Sequence, residues 1–171
     1  MKLDIAAWII FLAAAVYTAF TYSSLPDTIP RHFNAAGEPT AFSGKEMLVS
    51  LVLLYAGTVL LLTLLNHFLI RRQKDPHQAV QFIQLPGLKR DSLSEEQAAH
   101  VQQQSTGLLS VLNLLLSLMF AYLLLMMIQT ALGHQNGLSW DFWLLIALTA
   151  AAPVVMSWRI VRSVRRMDEN E

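Results

Sequence analysis

The chain has no cysteine, which excludes disulfides, thiolate zinc sites and thiol catalysis together. Charge is scarce as well. Asp, Glu, Lys and Arg make up 14% of the 171 residues and hydrophobic residues 54%, where a soluble domain carries about 25% charge. That deficit points to lipid as the solvent. A formal net charge of +0 lacks the basic excess of a nucleic-acid binder. There is no His-Glu-x-x-His helix, no nucleophile elbow and no phosphate-cradling glycine loop. The sequence thus offers no catalytic residue, no metal site and no cofactor motif, and no enzyme is expected.

Charge is also missing from the centres of four long apolar runs, Ile5–Tyr22, Met47–Ile70, Leu108–Leu132 and Phe142–Val161. A span takes about 20 such residues. The fold class expected is all-α: one integral membrane four-helix bundle, with helices over about 5–22, 47–70, 92–132 and 142–163. Ala13, Ala14 and Ala15 imitate a signal-peptide cleavage region, but the run is long and Lys2 is offset by Asp4. The segment is expected to stay. Lys and Arg crowd two connections: Arg71, Arg72, Lys74, Lys89 and Arg90 after the second run, and Arg159, Arg162, Arg165 and Arg166 at the end of the fourth. The positive-inside rule then puts both termini and the loop 71–91 in the cytoplasm, and the loop 23–46 outside. Trp8, Tyr22, Trp140, Trp143 and Trp158 fall near the interfaces.

The cytoplasmic loop, with Pro76, Pro86 and Gly87, reads as an irregular linker from Gln73 to Arg90. Its Val80, Phe82, Ile83 and Leu85 could rest on the membrane surface. Ser92-Leu93-Ser94-Glu95 matches a capping box, and no proline follows before Pro153, which should kink the fourth helix. One helix from about Ser92 to about Leu132 would be about 60 Å long, twice the hydrocarbon thickness. Its first turns, with Glu95, Glu96, His100 and Gln102–Gln104, must protrude. They are expected to pack on the Arg-rich tail, with Glu95 and Glu96 facing Arg162, Arg165 and Arg166; a partner is the alternative. Within the third helix Ser110, Asn113 and Ser117 share one stripe. The stripe reads as interhelical hydrogen bonding or as the lining of a polar path. Asn66 and His67 sit where water should reach them. Ala15/Ala19 and Ala147/Ala151 suit close helix packing.

Leu25 to Pro39 holds Pro26, Pro30, Pro39 and Gly37, leaving few amides for regular structure. Ile29, Phe33 and Phe42 need a surface to bury against, so a compact cap over the external helix ends is expected. His32 with Glu38, Asp27, His134 and Asp141 would form a metal or acid-base site only if the two external loops met, and spacing enforces no such meeting. A His32 packed in the loop on backbone partners is the plainer reading.

The pattern Leu-Pro-x-x-Ile-Pro-x-His-Phe-Asn-x-x-Gly-Glu-Pro, followed by Ser43-Gly44-Lys45 at a helix start, resembles the bacterial membrane domain of unknown function 1648, which begins the SdpI-type immunity proteins. The likeness covers the first 70 residues or so. It implies protection against a secreted antimicrobial peptide, or a receptor that holds a repressor at the membrane. It also implies ligand-binding roles for Pro26, Pro30, His32, Phe33, Asn34, Gly37 and Lys45. This chain departs from the family at Thr40, Ala41 and Phe42, and has four helices where the immunity proteins usually have six. Three readings stay open: an immunity or sensor protein binding an external peptide, an accessory subunit of a membrane complex, and a small-solute transporter. Besides the bilayer, the partners expected are a peptide ligand, a membrane protein or a second copy, with no nucleic acid. The location expected is the bacterial cytoplasmic membrane.

Overall fold

A computed structural model of the protein describes residues 2–85, 87–88 and 92–169, apart from the Asp168 side chain. Pro86, Lys89, Arg90 and Asp91 lie outside the described residues. Helix α1 spans Lys2–Thr21 and ends in a 3-10 turn, Tyr22–Ser24. Strands β1 (Thr28–Phe33) and β2 (Pro39–Gly44) follow, then α2 (Met47–Leu64), which runs on as a π-helical turn, Leu65–Arg71. A short α3 (Pro76–Val80) precedes α4 (Glu95–Ala131) and α5 (Trp140–Asp168). Four of these helical segments are long and apolar enough to cross a membrane. The protein is a polytopic membrane protein.

Helix α4 is the central post. It packs against α1, α2, α3, α5 and β1, while α5 leans chiefly on α4. One core gathers Ala7, Ile29, Leu48, Tyr55, Val59, Leu124 and Ile128 from α1, the hairpin, α2 and α4. A second, at the Arg-rich end, holds Ile70, Ala79, Val80, Ile83, Leu93, Val101, Ile160 and Val164.

That second core corrects the linker reading of the segment after Arg71. Asp75 caps α3 by accepting from the His77 amide at 2.9 Å, with Pro76 in the first turn. Val80 and Ile83 are buried and only Phe82 stays exposed. The linker folds because the protruding turns of α4 give it an apolar wall, which local sequence does not reveal. The protrusion also packs on α5, as expected, but by another means. Ala98 and Val101 meet Ile160 and Val164, and His100 Nε2 lies 2.8 Å from Ser163 Oγ. Among the described residues Glu95 and Glu96 form no ion pair with Arg162 or Arg165.

The start of α4 is shifted by two residues from the expected box. The N-cap is Ser94: its hydroxyl accepts from the Gln97 amide at 3.3 Å, and Gln97 Oε1 accepts from the Ser94 amide at 3.0 Å. Ser92 and Ser94 both stand three residues before a Glu or Gln. The later box wins while Leu93 ahead of it is buried in the second core. Pro153 lies inside an α5 that continues to Asp168, longer than expected at both ends.

Ser94→Ala should destabilise the first turn of α4 by about 1 kcal/mol. Hydrogen exchange of the Gln97 amide should then quicken about fivefold, with Ser92→Ala leaving it unchanged. The reverse pattern would restore the upstream box.

Candidate functional site

At one end of the bundle the connection between α1 and α2 forms a β-hairpin, where irregular chain was expected. Prolines shape it rather than prevent it. Leu25, restricted by Pro26 after it, is extended (φ −75°, ψ 144°) and turns the chain out of the 3-10 helix. Pro30 pairs with Phe42, and the register slips between Pro30 and His32, leaving Arg31 as the extra residue of a bulge. The hairpin turn is closed twice by the same two residues. The Asn34 amide donates to the Glu38 carbonyl and the Glu38 amide to Asn34 Oδ1, both at 2.9 Å. Asn34 Nδ2 adds a third bond, 3.0 Å to Glu38 Oε2. Gly37 supplies the left-handed residue, at φ +84°.

The two inter-helix connections at this end do meet. The Leu138 amide donates to the Gly37 carbonyl at 2.8 Å. A Cβ on Gly37 would fall 1.9 Å from the Leu138 carbonyl oxygen, and one on Gly137 2.0 Å from that of Gly37. Only glycine permits this backbone-to-backbone approach. At the base of the hairpin Lys45 acts as a staple. Its ammonium reaches the Leu25 carbonyl at 3.3 Å and Asp27 at 3.5 Å, and lies over the Tyr22 ring. Phe33 packs half-buried between the first core and a small cluster of Met126, Leu138 and Phe142.

Six of the seven motif residues therefore build the hairpin: Pro26, Pro30, Phe33, Asn34, Gly37 and Lys45 hold its backbone or its seat. His32 does neither. Its side chain is exposed where a packed, hydrogen-bonded histidine was expected; its backbone pairs with Ala41, and its carbonyl accepts from Thr40 Oγ1 at 3.4 Å. Of the three apolar side chains expected to bury, Ile29 does so fully and Phe33 in part, but Phe42 is 59% exposed. Strand alternation turns it to the outer face. The acid-base residues are dispersed. Asp27 meets Lys45, Glu38 meets Asn34, Asp141 accepts from Ser139, and His134 Nδ1 lies 3.0 Å from Gln129 Oε1. Among the described residues no three His, Asp or Glu side chains are placed to hold a metal ion.

The intramembrane stripe is buried throughout. Ser110 Oγ donates to Asp4 Oδ2 at 3.1 Å and accepts from Arg71 Nη2 at 2.9 Å and Asn66 Nδ2 at 3.0 Å. Arg71 also pairs directly with Asp4 at 2.9 Å. Three residues on, Asn113 Nδ2 donates to Thr63 Oγ1 at 3.1 Å, which also receives Trp8 Nε1 at 3.2 Å. One turn further, Ser117 Oγ donates to the Ala7 carbonyl at 2.8 Å, and the Tyr55 hydroxyl donates to the Ser117 carbonyl at 2.7 Å. The stripe joins α1, α2 and α4.

Asn66 belongs to this network and is buried, which corrects its expected access to water; His67 beside it is exposed. The π-helical turn brings Asn66 inward, with the Arg72 amide donating to the His67 carbonyl. Sequence reading missed the Asp4–Arg71 pair. The available signal was an acid at the start of one span and a base at the end of its antiparallel neighbour, both at one membrane face.

Residues 9–56 match the family described as Domain of unknown function (DUF1648). The chain carries a DUF1648 domain there, covering most of α1, the whole hairpin and the first half of α2. It is also similar to a curated protein of Archaeoglobus fulgidus described as "Uncharacterized protein". That relative is 29% identical over 144 residues, which cover 81% of this chain and 74% of the relative. No solved structure matches.

Gly37→Ala should expose the Leu138 amide to exchange and loosen residues 34–38. The positive φ alone costs about 1–2 kcal/mol in a residue with a Cβ, and the clash with Leu138 adds to it. Gly133→Ala is the control: its φ is +75° but nothing lies within 4 Å, so the Leu138 amide should stay protected.

Proposed function

We propose that the protein is an immunity or sensor protein whose hairpin faces the outside and binds a peptide, the bundle serving as its rigid seat. The observation that carries this reading is the division of labour in the hairpin. Asn34, Glu38, Gly37 and Lys45 fix its shape, while His32 and Phe42 stay exposed and are not spent on the fold. A shape fixed beforehand loses little entropy on binding, and an exposed aromatic is the usual anchor of a recognition surface. The resemblance to the immunity proteins supports the same reading, and the match to DUF1648 agrees with that resemblance.

The outward placement of the hairpin rests on basic residues. Arg71, Arg72 and Lys74 and the four arginines from Arg159 to Arg166 lie at the opposite end. In a bacterium this puts both termini in the cytoplasm, at the inner membrane, and no catalytic step is assigned to the chain. The accessory-subunit reading draws support from Ala147 and Ala151, which sit exposed on α5 away from α4. The transporter reading draws little from the stripe: the Ser110 and Ser117 hydroxyls and Asn113 Nδ2 are taken up in bonds between helices, and Asn113 Oδ1 alone of its side-chain atoms is buried with no hydrogen-bond partner.

Because the chain has no cysteine, single cysteines report topology cleanly. In intact cells an impermeant maleimide should label Thr40→Cys and not Glu169→Cys. Cells making the protein should survive a panel of amphipathic antimicrobial peptides better than cells without it. The His32→Ala/Phe42→Ser variant should weaken binding of the protective peptide about tenfold while keeping the labelling pattern. Equal survival with and without the protein, or labelling of Glu169→Cys from outside, would contradict the reading.

A further inference from the structure

Helix α5 carries an open groove of about 730 Å³ along one flank. Pro153, Val154, Trp158 and Val161 line its apolar length, and Arg162 and Arg165 close one end. These residues recur at four-residue spacing, so they form one continuous strip along the helix. No other element contributes a wall among the described residues, and Val154 and Trp158 are 69% and 59% exposed. The Arg162 guanidinium lies over the Trp158 ring, 5.2 Å from its centre, which holds the charge at the mouth of the apolar strip.

From the strip we infer that this face is a binding site for an anionic phospholipid, with the headgroup phosphate on Arg162 and Arg165 and an acyl chain along Trp158, Val154 and Pro153. Length, polarity and charge agree. Twelve residues at about 1.5 Å each give about 18 Å, against about 15 Å for half of the hydrocarbon core. The groove therefore runs from the headgroups to near the midplane. No acidic side chain lines it. A free phosphate would use the two arginines and leave the apolar strip unexplained. A second copy is the other candidate occupant. Two copies inserted in the same orientation and facing each other through this strip would set Arg162 and Arg165 of one against those of the other, so like charges oppose that pairing. General snorkelling explains why arginines stand at this depth. It does not explain why two of them share a face with a tryptophan and a groove.

The test uses the full chain in bilayer discs of zwitterionic phospholipid, with a minor fraction of lipid brominated on its acyl chain. Brominated phosphatidylglycerol should quench Trp158 more strongly than equally brominated phosphatidylcholine, the emission of Trp158 being taken as the difference from Trp158→Phe. About fivefold preference per arginine is expected near a membrane surface. Arg162→Gln/Arg165→Gln should abolish the preference, and Arg162→Lys/Arg165→Lys should keep part of it, which controls for a Gln variant that fails to insert. Equal quenching by the two lipids, or a preference that survives the Gln variant, would overturn the site. So would displacement by excess inorganic phosphate, which would leave a headgroup site without the chain. Ready formation of disulfide-linked dimers by Val154→Cys would assign the face to a second copy instead.

Discussion

Lipid gives one apolar helix face no reason to prefer another, so association within the bilayer depends on close packing and on hydrogen bonds between helices. Here that dependence concentrates on one edge of α4. Ser110, Asn113 and Ser117 reach across to Asp4, Trp8 through Thr63, and the Ala7 carbonyl on α1, and to Asn66, Thr63 and Tyr55 on α2. Each bond is worth about 0.6–2 kcal/mol in a membrane. Misplacing any one of the three helices would strand several polar groups in hydrocarbon at once. The stripe specifies the arrangement more than it strengthens it.

The hairpin and the second core both follow from that arrangement. With α1 and α2 held on α4, the Tyr22 and Lys45 ends come together and Lys45 can bridge to Leu25 and Asp27. Ile29 then drops into the first core beside Leu48 and Leu124, and the Gly37 turn meets Leu138. At the other end the length of α4 does the same service. Its 37 residues run about 55 Å, and the excess over the bilayer is the wall on which α3, Ile83 and the last turns of α5 assemble. Gln102 ties this region to the end of α2, donating to the Ile70 and Gln73 carbonyls at 2.8 and 3.0 Å.

Helix α5 differs from the rest. It touches α4 along one side and leaves Leu144, Leu148, Val154 and Trp158 exposed. A span so lightly held is free to present its outer face to lipid or to another protein, and both the exposed alanine pair and the arginine-ended groove lie there.

What was legible in the sequence was what hydrocarbon dictates: four uncharged runs, their alternation, and a third helix too long for the bilayer. The stripe was legible too, because helical spacing puts Ser110, Asn113 and Ser117 on one side whatever they touch. Its partners were not, since Asp4 and Arg71 are 67 positions apart and only the antiparallel pairing of α1 and α2 joins them. The hairpin was misjudged for a related reason. Three prolines and a glycine argue against regular structure locally, yet Pro30 sits beside a bulge and Gly37 in the turn, the places where a hairpin tolerates them. The motif from Leu25 to Lys45 is thus mostly a folding signal, and the recognition surface proposed for it comes down to the residues the fold leaves over. The most direct test of the central claim is the coupling between Asp4 and Arg71, the pair that meets α4 through Ser110. Unfolding in mixed micelles of Asp4→Leu, Arg71→Met and the double variant should show each single change costing more than its share of the double, with a coupling of about 1–3 kcal/mol. Effects that simply add, to within about 0.5 kcal/mol, would mean that Asp4 and Arg71 are not coupled and that this end of the stripe does not hold the helices together.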